Sequence, residues 1–196
     1  MRITSGKYKG RIIKMPSGIR PTQDKVRQAL FNILGDIEGL SFLELFAGSG
    51  AIGFEAVSRG VSELTLVECS RDCLKAISKN IEYLKPAACS IYPSEVDKTI
   101  KDFYRDNRQF DIIFLDPPYY KGLAPRLRSG QSKSLVNSLA KKTLQTLSAY
   151  DILTPNGFII AQHFKKDCLP KKIGELHLFK EARYADTLLS FYRKVG

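Results

Sequence analysis

The chain has 196 residues, a length typical of a single domain, and 43% of them are hydrophobic, which is enough to build a sizeable core. This composition excludes an intrinsically disordered protein. The formal net charge is +11, a strong excess for a chain of this size, and it indicates an anionic partner such as nucleic acid. Charge alone also fits a generic basic protein.

The four cysteines, Cys69, Cys73, Cys89 and Cys168, form no C-x-x-C pair, so neither a metal site nor a disulfide framework is expected. The N-terminal stretch MRITSGKYKGRIIK is polar and basic and lacks the apolar core of a signal peptide. No apolar run approaches the roughly 20 residues that a membrane-spanning helix needs. We therefore expect a soluble cytoplasmic protein without membrane contact.

Residues 1–20 are expected to form a short β-hairpin that is punctuated by Gly6 and Gly10. Basic side chains with an aromatic residue, Tyr8, among them are typical of a nucleic-acid-binding extension. An ordinary solvated hairpin has the same pattern, and both interpretations stay open. The basic residues of this stretch are Arg2, Lys7, Lys9, Arg11, Lys14 and Arg20.

Strands and helices are predicted to alternate after this stretch. A first amphipathic helix follows Pro21, with the apolar spacing Val26, Leu30, Ile33 and Leu34. Because apolar strands separated by helices are typical of a parallel sheet covered on both faces, such a sheet is expected. The predicted strands are 42–46, 64–68, 88–92 and 111–115, with helices at 51–59, 71–84 and 95–106.

The C-terminal third begins with a polar, basic stretch, residues 120–134, which is predicted to be a loop. Its residues 122–134 are expected to be flexible in the free protein, as substrate loops often are. The last two predicted strands have no helix between them and are therefore expected to form an antiparallel hairpin. The predicted elements are a helix at 135–149, a turn at 155–157 and strands at 158–164, 175–182 and 187–193.

Gly48, Gly50 and Gly53 have the spacing G-x-G-x-x-G between the first sheet strand and the next helix. Glycines there let the backbone turn tightly and approach an adenosine ligand at the carboxyl ends of the strands. Glu68 ends the next strand, where its carboxylate can accept hydrogen bonds from both ribose hydroxyls. Because NAD and S-adenosylmethionine (SAM) both contain an adenosine ribose, these residues leave both cofactors open.

Glu44 favours SAM. It lies within the first sheet strand among apolar neighbours, where a carboxylate is unfavourable unless it has a partner. An acid there repels a pyrophosphate and attracts a cationic ligand, such as the amino group or sulfonium of SAM. Internal pairing with a lysine or arginine is the alternative. Gly53 is interpreted as a position of close packing between helix and sheet.

The tetrapeptide Asp116-Pro117-Pro118-Tyr119 follows the strand at 111–115 directly. Its prolines stiffen the turn and remove two backbone donors, while the carbonyls remain free to accept hydrogen bonds. The Asp116 carboxylate and the carbonyl of Asp116 or Pro117 can accept both hydrogens of an exocyclic amine, and Tyr119 can stack on its ring. Two acceptors localise the amine's lone pair and stabilise the developing positive charge, which favours methyl transfer to that nitrogen.

These residues resemble the class I SAM-dependent methyltransferases that carry the motif Asp/Asn-Pro-Pro-Tyr/Phe and modify exocyclic amines of adenine, guanine or glutamine. More closely, the chain resembles the bacterial small-subunit ribosomal RNA guanine-N2 methyltransferase family. The matching segments cover most of the chain in order, and R-P-T-x-D-x-V-R is the most specific pattern. They are RITSGKYKGR, RPTQDKVRQALFNIL, LELFAGSGAIGFEAVSRG, LTLVECSRDCLKAISKNIEYL, IIFLDPPYYKG and YADTLLSFYRK.

The resemblance implies a Rossmann-like α/β methyltransferase fold with helices on both faces of a seven-stranded, mostly parallel sheet whose last strand is antiparallel. The predicted domain organisation is a basic N-terminal β-hairpin extension, 1–20, followed by a SAM-dependent methyltransferase domain, 21–196. The resemblance implies a catalytic turn of Asp116, Pro117, Pro118 and Tyr119. The cofactor contacts that it implies are Glu44, Phe46, Ala47, Gly48, Ser49, Gly50, Glu68, Cys69 and Glu95.

Glu95 is the best match for the acid that meets the adenine amine, with Ser94 and Asp97 as alternatives. Two features depart from the family pattern: a longer, more basic stretch at 122–144, and His163 where an acidic residue is expected after the fifth strand. The expected partner is ribosomal RNA or the assembling small subunit, bound by a monomer without a metal. RNA contacts are expected from Arg2, Lys7, Lys9, Arg11, Arg20, Lys121, Arg126 and Arg128.

The expected function is transfer of a methyl group from SAM to the exocyclic N2 of a guanine in small-subunit ribosomal RNA. The alternative is an N6-adenine methyltransferase acting on DNA or RNA. An NAD-dependent oxidoreductase fits less well, because it gives no role to the DPPY turn. A catalytically silent RNA-binding module gives no reason for Glu44, Glu68 and that turn to occur together.

Overall fold

A computed structural model of the chain describes residues 1–16, 24–118 and 139–195. The predicted loop at 120–134, its expected flexibility and the predicted domain boundary after residue 20 lie outside these residues. The described helices are α1 (Asp24–Leu34), α2 (Ala51–Ser58), α3 (Arg71–Leu84), α4 (Val96–Arg105) and α5 (Leu139–Ala149). The described strands are β1 (Ser41–Leu45), β2 (Glu63–Glu68), β3 (Cys89–Pro93), β4 (Phe110–Leu115), β5 (Leu153–Phe164), β6 (Lys172–Ile173), β7 (Leu176–Tyr184) and β8 (Thr187–Lys194).

All eight described strands form one sheet in the order β3-β2-β1-β4-β5-β8-β7-β6. Strands β1 to β5 are parallel to one another, whereas β8 runs antiparallel to β5 and to β7. The expected α/β fold, with a parallel sheet and an antiparallel last strand, is confirmed. The strand count is eight instead of seven because the two-residue β6 pairs with the outer edge of β7.

Alternate side chains of the central strands enter two separate cores, which explains why helices cover both faces of the sheet. In β4, Ile112 and Phe114 belong to one core and Ile113 and Leu115 to the other, and each is at most 1% exposed. The first core packs against α1, α2 and α3, and the second against α4 and α5. Burying a large apolar side chain stabilises the fold by about 1.5–3 kcal/mol, so this strand is a major source of stability.

The predicted turn at 155–157 is wrong as a separate element, because these residues lie within β5. The pairing of β4 with β5 shifts register there: Phe110 pairs with Leu153, but Ile112 pairs with Phe158. The extra residues of β5 are thus accommodated as an irregularity of the strand. The antiparallel hairpin of β7 and β8 is confirmed, and its turn includes Ala185 with φ of 54°.

The N-terminal segment, residues 1–16, folds back on itself with an isolated antiparallel bridge between Arg2 and Ile12, a looser arrangement than the predicted hairpin. Its apolar side chains Ile3, Tyr8 and Ile13 are buried in the core that α1, α2 and α3 cover. Tyr8 is 4% exposed, so it is a core residue and offers no aromatic face to nucleic acid. The segment is therefore part of the globular body and presents mainly its polar side chains to solvent.

Candidate active site

The candidate site lies at the carboxyl ends of β2, β1, β4 and β5, where the strand order reverses between β1 and β4. Ligands of open α/β sheets bind at such a switch point. Glu44 pairs in register with Leu66 on β2 and Phe114 on β4. Because side chains two residues apart share a face, the polar residues that lie together on this face are Glu68, Glu44, Asp116 and Gln162.

The glycine turn between β1 and α2 has the conformation that its sequence predicts. Gly48 and Gly50 have φ of 58° and 74°, in the left-handed region that favours glycine. A Cβ atom at Gly50 would lie 2.7 Å from Cε2 of Phe54, so a side chain would not fit there. Phe46 also has a positive φ, 58°, which the sequence pattern did not indicate.

Gly53 allows α2 to approach the sheet closely, as interpreted from its spacing. A Cβ atom there would lie 2.6 Å from Cδ1 of Leu64 and 2.7 Å from Oε2 of Glu44. A larger residue at this position would fit only if the Leu64 and Glu44 side chains moved or α2 shifted away from the sheet.

Glu44 lies beneath the glycine turn and is 3% exposed. Its Oε2 accepts a hydrogen bond from the Gly53 N–H at 2.8 Å, so the carboxyl group binds the N-terminus of α2, where a helix favours negative charge. Among the described residues it has no lysine or arginine partner, which argues against the alternative of an internal ion pair. Burial raises the pKa of Glu44 to about 8, although the Gly53 and Ile52 amides oppose this shift.

The Glu68 side chain is 8% exposed, and its carboxylate accepts hydrogen bonds from two separate backbone segments. Its Oε2 accepts from the Gly48 N–H at 2.7 Å, and its Oε1 accepts from the Cys69 and Ser70 N–H groups at 2.9 and 2.8 Å. An ionised carboxylate has about four acceptor positions. Glu68 therefore has room for about one ribose hydroxyl in this arrangement, and a second would displace one of the amides.

The remaining candidates for cofactor contacts are Cys69, which follows Glu68, and three residues at the end of β3 and the start of α4. Cys69 is exposed, and partial desolvation and the Glu68 charge raise the pKa of its thiol, which keeps the thiol protonated. The Ser94 N–H donates to the Glu68 carbonyl at 3.1 Å, and Glu95 is exposed at the start of α4. Asp97 instead pairs with Lys142 on α5 at 2.6 Å. Ser94 and Glu95 therefore remain the candidates for the contact with the adenine amine of the cofactor.

Asp116 follows β4 directly, with Pro117 buried behind it and Pro118 exposed. Its Oδ2 accepts a hydrogen bond from Nε2 of Gln162 on β5 at 2.7 Å. Sequence reasoning missed Gln162. Its place two residues after Ile160 in an apolar strand puts it on the same sheet face as Ile160, which was a signal that could have found it. Tyr119, the last residue of the predicted catalytic turn, lies outside the described residues.

The basic residues expected to contact RNA are placed only in part. Arg2, Lys7, Lys9 and Arg11 are exposed on the N-terminal segment. The guanidinium of Arg11 stacks 5.0 Å from the Tyr8 ring centroid and 5.7 Å from that of Tyr83, a residue that is 53% exposed on α3. Arg20, Lys121, Arg126 and Arg128 lie outside the described residues.

His163, which stands where an acid was expected, points to the opposite sheet face from Gln162 and is 1% exposed. Its Nε2 lies 2.8 Å from Oγ of Ser190, and its Nδ1 lies 3.2 Å from the Phe164 carbonyl oxygen. Burial lowers the pKa of His163, which favours the neutral imidazole. It is a buried histidine with both nitrogens paired, outside the candidate site.

Neither a membrane span nor a metal cluster occurs in residues 1–16, 24–118 and 139–195. No helix in these ranges is both long and apolar enough to cross a membrane. No cluster of three or more histidine, cysteine, aspartate or glutamate side chains in them has the geometry to hold a metal ion.

The model of a protein family described as conserved hypothetical protein 95 matches residues 1–193. The chain belongs to this family. A relative from Bacillus subtilis, named Putative rRNA methyltransferase YlbH, is 31% identical over 200 residues and is covered completely, as is this chain. A Buchnera aphidicola relative, named Ribosomal RNA small subunit methyltransferase D, is 33% identical over 173 residues, 85% of this chain and 80% of the relative.

A solved structure described as a putative methyltransferase from Escherichia coli has the same fold. It matches with a TM-score of 0.78 and 28% identity, over 99% of this chain and 97% of that one. The fold of this member of the conserved hypothetical protein 95 family is thus a class I methyltransferase fold, and the family resemblance drawn from the sequence is confirmed.

Proposed function

We propose that this chain is a SAM-dependent methyltransferase that modifies the exocyclic N2 of a guanine in small-subunit ribosomal RNA. The observation that carries the proposal is the Asp116 carboxylate, which is held at the carboxyl end of β4 by Gln162 and is followed by two prolines. The names of the relatives, which refer to ribosomal RNA methylation, support the substrate class.

The residues around the glycine turn fit SAM. The left-handed Gly48 and Gly50 let the ligand approach the backbone, and Glu68 keeps about one acceptor position for a ribose hydroxyl. The carboxylates of Glu68 and Asp116 favour a cationic ligand over a pyrophosphate, whereas Glu44, whose pKa burial raises to about 8, adds little charge at neutral pH. When bound, SAM supplies an electrophilic methyl group on its sulfonium.

Asp116 and the backbone of the catalytic turn would prepare the nucleophile. An exocyclic guanine amine is a poor nucleophile because its lone pair is delocalised into the ring. The Asp116 carboxylate and the Pro117 carbonyl can accept its two hydrogens, draw the lone pair toward the methyl group and stabilise the positive charge that develops on nitrogen. Asp116, directly or through water, then accepts the proton that the methylated amine releases.

The test is a methylation assay with labelled SAM and the purified protein. The acceptors are small ribosomal subunits and naked ribosomal RNA from a strain that lacks the enzyme, with duplex DNA as a third arm. We expect label in ribosomal RNA and N2-methylguanosine in the digested nucleosides by mass spectrometry. Finding N6-methyladenosine would show that adenine is the substrate, and label only in duplex DNA would show that the acceptor is DNA. Either result, or the absence of label in every arm, would refute the proposal.

A further inference from the structure

We propose that Gln162 is a positioning residue that acts on the proposed reaction through the Asp116 carboxylate. The inference rests on the proposed function and adds to it a residue outside the catalytic turn. Gln162 is 5% exposed near the carboxyl end of β5, and its Nε2 donates to Oδ2 of Asp116 at 2.7 Å. The preceding residues, Leu115 and Ala161, are register partners on the two strands, so the contact joins adjacent strand ends.

This contact fixes a group that must be oriented for the reaction. A hydrogen bond to one carboxylate oxygen restricts rotation of the group about its Cβ–Cγ bond. Gln162 holds Oδ2 of Asp116 from a rigid strand, where the flanking Ile160 and Ala161 are fully buried. Small errors in orientation weaken catalysis strongly, because alignment of the nucleophile supplies much of the rate.

Stability alone does not explain a glutamine at this position. Its carbonyl Oε1 is buried and accepts no hydrogen bond from any residue that the structure describes. An unpaired buried carbonyl is unfavourable, whereas an apolar side chain of similar length would leave no polar atom of its own without a partner. The contribution of the Gln162 amide is therefore its N–H donor, and the acceptor of that hydrogen bond is Asp116.

A neutral donor also suits the charge of the site. Glu44 and Glu68 face the same region as Asp116, and the charge of Asp116 acts on Glu44. An arginine or lysine at 162 would form an ion pair with Asp116 and oppose the positive charge that develops on the amine. The amide of Gln162 orients the carboxylate without cancelling its charge.

The experiment compares Gln162→Met and Gln162→Glu with the wild-type protein on small ribosomal subunits. The methionine variant is expected to bind SAM as well as wild type and to unfold at the same or a higher temperature. Its kcat is expected to fall by about ten- to a hundredfold, the effect of losing a hydrogen bond to a charged group. Its activity should also begin at a higher pH, because Asp116 loses a donor that favours its charged form.

Gln162→Glu separates positioning from packing, since the shape of the side chain is conserved. At low pH the introduced carboxyl group is protonated, can donate to Asp116 and is expected to restore activity relative to the methionine variant. As the pH rises and this carboxyl group ionises, its repulsion from Asp116 is expected to remove that activity. The matched control is Thr65→Val, which removes a fully buried polar group from β2 away from the turn and should leave kcat and the pH profile unchanged.

A wild-type kcat and pH profile in Gln162→Met would overturn the inference, as would losses of stability and SAM affinity that account for the lost activity. A measurement without substrate tests the positioning role of Gln162 independently of the proposed function. By carbon-13 NMR, the titration midpoint of the Asp116 carboxyl should move to higher pH in Gln162→Met. If the wild type methylates no ribosomal RNA, the proposed function fails, and an unmoved midpoint would then refute the positioning role independently.

Discussion

Asp116 is expected to be the side chain whose loss reduces activity most. Asp116→Ala removes an acceptor that acts on the developing ammonium, so methyl transfer should fall by about a hundredfold or more. SAM affinity should change little, because the amides around Gly48 and Glu68 stay in place. Calorimetry with SAM and a labelled transfer assay measure the two quantities. Asp106→Ala, an exposed acid after α4, is the control, and equal losses in both proteins would contradict the assignment.

Glu44 is expected to make stability depend on pH. Its pKa is raised from 4.5 to about 8 by burial, so between these values the folded protein keeps a proton that the unfolded chain has released. The free energy of unfolding should therefore decrease as pH rises through this range, by at most about 1.4 kcal/mol per pH unit. Glu44→Gln should match wild type at acidic pH, below this range, and be more stable at alkaline pH, above it, in urea unfolding. Parallel curves for the two proteins would show that Glu44 is ionised when folded.

At the scale of elements, the N-terminal segment is anchored by buried polar contacts. Both oxygens of the Glu55 carboxylate on α2 bind Thr4, through its N–H at 2.9 Å and its hydroxyl at 2.6 Å. Arg27 on α1 is fully buried, lies 3.4 Å from Glu55 and donates to the Arg2 carbonyl. These contacts fix the backbone that carries the exposed lysines and arginines, so the basic surface has a defined position relative to the site.

Asn80 on α3 links this segment to the glycine turn. Its side chain accepts from the Lys14 N–H at 2.8 Å and donates to the carbonyls of Lys14 and Ser49 at 3.0 and 3.1 Å. Asn80→Leu would leave these groups without partners and is expected to lower the free energy of unfolding by about 2–4 kcal/mol. SAM affinity should fall as well, because Ser49 belongs to the turn. Ser78→Ala, at an outward-facing position of α3, is the control for both measurements.

At the scale of the whole molecule, the net charge of +11 is expected to govern RNA binding. Replacing Lys7, Lys9 and Arg11 with glutamine should weaken binding to a small-subunit ribosomal RNA fragment. It should also reduce the slope of log affinity against log salt by about 2, since each phosphate contact on a single strand contributes about 0.7. Fluorescence anisotropy at several salt concentrations measures both effects.

The control for charge as such removes two lysines of α4, Lys98 and Lys101, which lie on the other side of the sheet. A loss of affinity and slope per removed charge equal to that of the three-residue variant, about two-thirds of its total effect, would show that RNA binding follows total charge and not the N-terminal surface.

Much of the fold could be predicted from short stretches of sequence. The apolar run of β4 indicated a strand buried on both faces, and the helix predicted at about 71–84 coincides with α3. Local chemistry also located the glycine turn, because glycine adopts the left-handed conformation that Gly48 and Gly50 have, and it placed Asp116 directly after β4. The irregular register at 155–157 was missed, because it depends on the neighbouring strand.

The sequence by itself thus determined where the glycine turn lies, which central strands are buried, and that Glu68 and Asp116 stand at strand ends. Only the tertiary structure decided what those acids contact: Glu44 binds the start of α2, Glu68 binds three amides, and Tyr8 belongs to the core. It also brought Gln162 to Asp116, from 46 residues away in the chain. The reason is physical, since periodicity and turn geometry act within a few residues, whereas a hydrogen-bond partner on another strand is set by register and by the packing of the whole sheet.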